Sequence, residues 1–357
     1  MKIKKENAKY KSWLKKHIEK KFLKEIKKRR KRKRRKIYAL SKKNNKYRKG
    51  TSNNTLKLNH QAYAPVDFSI IGNPIETIDF FNNLLYKIRN SKDGIYLALH
   101  MAEINNLTID SVMYLLAVLY NTRLNKPQAL EFKVNYPKNI EIRSLLQESG
   151  FEKFVNTRTR TTINRKRKNI EIQSGNTIKQ EVVKDICDFV NNSFNTSTKY
   201  TKFLYNMIIE LMTNTVQHAY EDKAFMVNQW YLFVENQGGK IKFIFLDTGS
   251  GIPETITRKF LIDILKKDSD YIKSALLGEF RTKTKLTYRG KGLPKVYNYF
   301  DDNTIQNLAI VSGKGFCVLD KKVDDIQCKF NGTLFYWELD KKYINEEYFD
   351  YDKISNF

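Results

Sequence analysis

The sequence predicts an α/β protein: a small α/β sandwich, then a larger α/β sandwich with a mixed sheet and helices on one face, behind a basic helical arm. Three observations predict it. Strands alternate with helices over the short segment 65–155, the pattern of a small layered α/β unit. Two helical stretches followed by apolar strand runs at 229–235 and 240–246 begin a second unit of that kind. Charge is confined to the start: of a net +28, residues 1–50 hold 25 Lys+Arg against 3 Asp+Glu, whereas the rest hold 41 against 35. A chain of 357 residues has room for about two domains at roughly 150 residues each. A hydrophobic content of 41% excludes wholesale disorder.

Residues 1–64 read as arm and linker. Leu14, Ile18, Phe22 and Ile26 recur every four residues with Trp13 and Leu23 alongside, which predicts a two-faced helix over 9–36. Its end is a run of ten cations: Lys27, Lys28, Arg29, Arg30, Lys31, Arg32, Lys33, Arg34, Arg35 and Lys36. Like-charge repulsion at that density frays a helix unless an anion is bound. Residues 37–64, rich in Lys, Asn, Ser and Tyr, read as linker.

In the block 65–155, the spacing predicts a helix over 75–88 and a buried strand at 94–99. A helix follows over 110–120 with Asp110 as its N-cap, then a strand at 130–134. A last helix over 140–149 stops at Gly150. Residues 156–175 form a second basic connector. The block 176–340 predicts helices at 178–192 and 200–219, strands near 229–235 and 240–246, a loop and helical region over 253–300, and strands near 306–320 and 332–339. The tail 341–357 is aromatic and acidic.

Composition excludes several classes. Cys187, Cys317 and Cys328 have no metal-site spacing, and so sparse and odd a count fits a reducing compartment. No apolar run approaches the ~18–20 residues of a membrane span, and the N-terminus lacks the apolar core of a secretory signal. The expectation is a soluble cytoplasmic protein.

Three segments of the second block carry chemistry. Glu210, Asn214 and His218 lie at i, i+4 and i+8 of a helical stretch, which aligns them near one face. An Asn carbonyl suits Mg²⁺, which takes oxygen ligands and keeps waters. A carboxylate one turn away suits activation of a hydroxyl or water. Asp247 ends an apolar strand and can accept from an exocyclic amine; Gly249 and Gly251 follow it and let backbone approach a flat ligand. Gly290, Lys291 and Gly292, with Arg289 and Lys295 near, precede a helix whose N-terminal amides suit phosphate. Each segment alone fits an ordinary polar helix face, strand exit or basic turn equally well. No Walker A loop is present.

The order and separation of these segments resemble the N, G1 and G2 boxes of the GHKL ATPase superfamily, the Bergerat fold of gyrase, histidine kinases and anti-sigma serine kinases. Phe330-Asn-Gly332-Thr333 is similar to that family's Gly-Thr element. The helix from Ile209 to Tyr220 resembles the anti-sigma kinase branch, a bacterial group. The resemblance implies ATP and Mg²⁺ as cofactors, Asn214 as the Mg²⁺ ligand and Glu210 as general base. It implies that Asp247 holds adenine with Thr333 in support, that Gly249 and Gly251 floor the base pocket, and that Gly290, Lys291 and Gly292 belong to a lid over the phosphates. The block 65–155 resembles a STAS domain, through the strand 95–99, the segment Leu107-Thr-Ile-Asp110-Ser111 and Leu145-Leu-Gln-Glu-Ser-Gly150-Phe151. Phosphorylated members carry Asp-Ser-Ser-Gly; here Val112 and Met113 follow Ser111, so docking of a protein partner is the expected role.

The reading expected first is an ATP hydrolase acting as a nucleotide-dependent switch, tethered to DNA or RNA by residues 1–50. A serine/threonine kinase of the anti-sigma type stands second, and a nucleic-acid-binding regulator that only senses ATP third. Each phosphate neutralised by the arm releases counterions, giving salt-dependent and largely sequence-independent affinity. An acidic protein and an anionic membrane surface are the arm's other partners, and the family admits a homodimer.

Overall fold

The computed structural model describes residues 58–90, 95–125, 130–151, 169–217, 226, 228–260, 267–279 and 292–343. The helix expected over 9–36, the ten-cation run, His218, Gly290, Lys291 and nearly all of the tail lie outside the described residues.

The first block comprises β1 (Leu58–Tyr63), β2 (Asp67–Phe68), α1 (Pro74–Asn90), β3 (Ile95–His100), β4 (Asn106–Leu107), α2 (Ile109–Asn125), β5 (Leu130–Asn135) and α3 (Ile140–Glu148). Strands β1, β3 and β5 form a parallel sheet in that order, and β2 pairs with β4. Parallel neighbours need a crossover, and here α1 and α2 supply one each. Strand β1 lies within the segment expected to be linker. Its pairing with β3 comes from the backbone, and no apolar alternation in the segment announces it.

Local chemistry sets several boundaries. Asn139 caps α3, its side-chain oxygen accepting from the N–H groups of Glu141 at 2.8 Å and Ile142 at 3.3 Å. Gly150, at φ +80°, ends the same helix as expected. Asp110 is inside the first turn of α2 and is not its cap. The carboxylate is fully buried and accepts from Ser111 N–H at 2.5 Å and Ile71 N–H at 3.1 Å, with the Thr108 hydroxyl also bonded to it. It therefore ties the start of α2 to the loop before α1. Ser111 and Val112 are buried as well, so the stretch is a packing element.

The second block comprises β6 (Asn169–Gly175), α4 (Gln180–Phe194), a 3-10 turn (Thr198–Thr201), α5 (Lys202–Gln217), β7 (Trp230–Gln237), β8 (Lys240–Asp247), α6 (Ile252–Phe260), α7 (Asp268–Leu276), α8 (Gly292–Asp301), β9 (Gln306–Val318) and β10 (Lys322–Asp340). Its five strands lie in the order β6-β7-β8-β10-β9. The expected mixed sheet is corrected here: every ladder of this sheet is antiparallel. Two hairpins account for much of that. Gly238 and Gly239, both at positive φ, turn β7 into β8, and Asp320 at φ +62° lies in the turn from β9 to β10. Strand β6 falls in the segment expected to be a basic connector, with Ile172 buried.

All described elements belong to one compact unit, Lys57–Phe357. On one face of the five-stranded sheet, Trp230, Leu232, Phe243, Phe245, Ile310, Phe335 and Trp337 pack with Val183, Ile186, Leu204, Ile208 and Val296 of the block's own helices. Helices were expected on one face only. On the other face, Tyr231, Phe233, Ile244, Leu246, Val311 and Leu334 pack in one core with Phe81 of α1 and with Tyr114 and Val118 of α2. Burial on both faces is why β7 and β8 are nearly continuous apolar runs and not alternating ones. The contact centres on β10. The Tyr114 ring lies 4.6 Å from that of Phe330, the Tyr114 hydroxyl donates to Asn331 O at 3.2 Å, and Asn82 Nδ2 donates to Lys329 O at 3.1 Å. No helix among the described residues is long and apolar enough to cross a membrane.

Candidate functional site

One cross-strand row organises the site. Gly175, Trp230, Asp247, Thr333 and Ser312 are successive partners across β6, β7, β8, β10 and β9. Directly paired residues share a face, and two positions inward the members on β7, β8, β10 and β9 are apolar, with Leu232, Phe245, Phe335 and Ile310 in the core. Asp247, Thr333 and Ser312 thus form a polar border at the end of an apolar wall. Trp230 closes its other side, its indole N–H donating to Thr177 O at 2.8 Å.

Asp247 accepts from Gly249 N–H at 2.5 Å and from the Thr215 hydroxyl. Burial pushes its pKa up to about 6, and those two bonds oppose the rise. Thr215 shares its one hydroxyl hydrogen with Leu211 O, 3.0 Å away within α5, so the helix that carries Glu210 and Asn214 meets the strand that carries Asp247. Glu210 and Asn214, both half-buried, sit one turn apart on α5. Burial holds the Glu210 carboxyl above the usual carboxylate range, with the nearby Lys295 charge opposing it. A carboxyl raised in this way accepts a proton more readily than a free carboxylate does.

The glycines mark where backbone and neighbours come too close for a side chain. A Cβ on Gly249 would lie 2.8 Å from Asn228 Oδ1 and 2.9 Å from Asp247 Oδ1. On Gly251, at φ +86°, it would lie 2.8 Å from Ser312 Oγ. Gly292, at the start of α8, abuts Glu210: a Cβ there would lie 2.2 Å from Glu210 Cγ. Gly292 at the start of α8 and the Glu210 carboxylate of α5 are therefore in contact.

The structure brings together Glu210 with Gly292, and Asp247 with Gly249, Thr333 and, through Ser312, Gly251. Three residues were not singled out from the sequence: Thr215, Ser312 and Asn228. The buried Asn228 Oδ1 has no hydrogen-bond partner among the described residues. A Thr or Ser at the end of a strand or inside a helix carries no signal until the ladder register is known.

Among the described residues no group of three or more His, Cys, Asp and Glu could hold a metal. A cation here would take the Asn214 amide oxygen as its protein ligand and draw its other ligands from phosphate and water, as Mg²⁺ does. A scan against protein-family models and a search of curated proteins gave no match for this chain.

Proposed function

We propose that residues 176–340 form a Bergerat-type site for Mg-ATP, and that the protein is a nucleotide-dependent switch that hydrolyses ATP. The observation that carries this reading is the convergence of widely separated segments. The Asp247–Thr333 pair borders an apolar wall, while Glu210 of α5 touches Gly292 at the start of α8. In this reading Asp247 and Thr333 take the base, Gly249 and Gly251 leave room for it, and Gly290, Lys291, Gly292 and Lys295 face the phosphates. Asn214 holds Mg²⁺, which when bound neutralises phosphate charge. Glu210 accepts the proton of the attacking water. The first block is the STAS-like module, and its seat on β10 beside Gly332 and Thr333 supports a route by which it follows the nucleotide state.

Glu210→Gln is expected to retain ATP binding while turnover falls by about 100-fold or more. Calorimetry and release of labelled phosphate from γ-labelled ATP check the two halves. Turnover at the wild-type rate excludes Glu210 as the base. Label transferred to protein, in place of free phosphate, moves the assignment to the kinase reading.

The arm 1–50 is assigned to nucleic acid on charge density alone, and the STAS-like block to a protein partner. Deleting 1–50 should lower RNA and DNA affinity at least tenfold at low salt and flatten its salt dependence, leaving ATP binding unchanged. A truncated chain that binds nucleic acid as the full chain does, measured by filter binding over a salt series, rejects the arm's role.

A further inference from the structure

We propose that Ser312 is a specificity-determining residue: it fixes the proton of Thr333, so that the pocket wall accepts hydrogen bonds only and selects a 6-aminopurine. The inference rests on the nucleotide reading above and adds to it the group that sets base choice.

Ser312 is fully buried, and its hydroxyl has three partners. Gly332 O, at 3.0 Å, is a carbonyl and can only accept, so it takes the one hydrogen of Ser312. Ile252 N–H, at 2.9 Å, can only donate, so it occupies one lone pair of Ser312 Oγ. The third contact, to Thr333 Oγ1 at 3.1 Å, must then be a donation from Thr333. Thr333 is left with lone pairs alone for any ligand.

Its cross-strand partner is Asp247, whose carboxylate already accepts from Gly249 N–H and is likewise an acceptor. Two acceptors at adjacent positions of one row complement an amino group, which carries two hydrogens. A 6-oxo purine would set a lone pair against them, and a mispaired buried acceptor is penalised more than a missing contact. The network also accounts for Gly251, whose Cβ would displace Ser312 Oγ. The turn after Asp247 and the Gly-Thr element are thereby joined through one hydroxyl.

The test compares ATP with inosine triphosphate, which exchanges the 6-amino for a 6-oxo group, by calorimetry on the full chain with Mg²⁺. The wild type is expected to prefer ATP. Ser312→Ala frees the Thr333 hydroxyl to rotate and donate, so the ATP-to-inosine preference should shrink about tenfold. General loosening of the pocket would weaken both nucleotides alike and leave the ratio in place. Thr333→Val should shrink the preference too, and Ser312→Ala should add nothing in that background. Where the alanine variant does not fold, the near-isosteric Ser312→Cys serves. An unchanged ratio in the Ser312 variant, or additive losses in the double variant, overturns the role of Ser312 while leaving the site standing. A wild type that binds neither nucleotide overturns the nucleotide reading itself.

Discussion

Asn214→Ala is expected to remove Mg²⁺-dependent ATP binding, with affinity falling by about 100-fold or more. The position makes the test clean. Asn214 is half-buried on α5, one turn from Glu210 and next to Thr215, which ties the helix to Asp247. Alanine is a better helix former than asparagine, so α5 and the fold should persist, with an unfolding midpoint no lower than that of the wild type. Loss of binding with the fold intact places the ligand oxygen on this side chain. Calorimetry in the presence and absence of Mg²⁺ separates the ion's share from that of the base pocket. Undiminished affinity removes Asn214 from the site.

Gly332→Ala is expected to be the most destabilising single substitution in the site, at roughly 3–5 kcal/mol. Gly332 has φ +125°, a region closed to ordinary side chains, and a Cβ there would lie 2.1 Å from the carbonyl oxygen of Asp247. The obstacle is backbone of the neighbouring strand, so no rotamer relieves it. The ladder must part where Thr333 meets Asp247. Gly238→Ala is the control: Gly238 also has positive φ, but nothing lies within 4 Å of its Cβ position, and its cost should be about 1–2 kcal/mol. Urea midpoints of the two variants check the contrast. Equal losses would mean that the strain is conformational and that the close approach to Asp247 has no part in it.

Much of the helical framework was legible because packing writes itself into the sequence at the helical period. Ile78, Phe81, Leu84, Leu85 and Ile88 are the buried stripe of α1, and Gly150 carries cap chemistry of its own. The strands β1 and β6 were hidden in segments expected to be linker, because each is held by a neighbour's ladder and not by an apolar pattern. The doubly covered sheet could have been foreseen. Trp230 to Val234 and Phe243 to Leu246 are apolar at successive positions, which a strand with one wet face does not need. That the second cover comes from α1 and α2 is a long-range fact with no local signature.

The site divides in the same way. Glu210 and Asn214 declare themselves by helical spacing, and Asp247, Gly249 and Gly251 by a polar break after an apolar strand. Ser312 does not, because its meaning lies in a register between β9 and β10 that places it beside Thr333. Thr215 is similarly silent until α5 is laid over the end of β8.

The central claim, that these segments make one ATP site, is tested most directly by locating bound nucleotide on the full chain. Photolabelling with an azido-adenine analogue of ATP in the presence of Mg²⁺, followed by peptide mapping, should place the label in peptides containing Asp247 to Gly251 or Gly332 and Thr333. Excess ATP should suppress that labelling. Label confined to residues 1–50, or spread over basic peptides without competition by ATP, would mean that the chain only attracts nucleotide as a polyanion and would contradict the site.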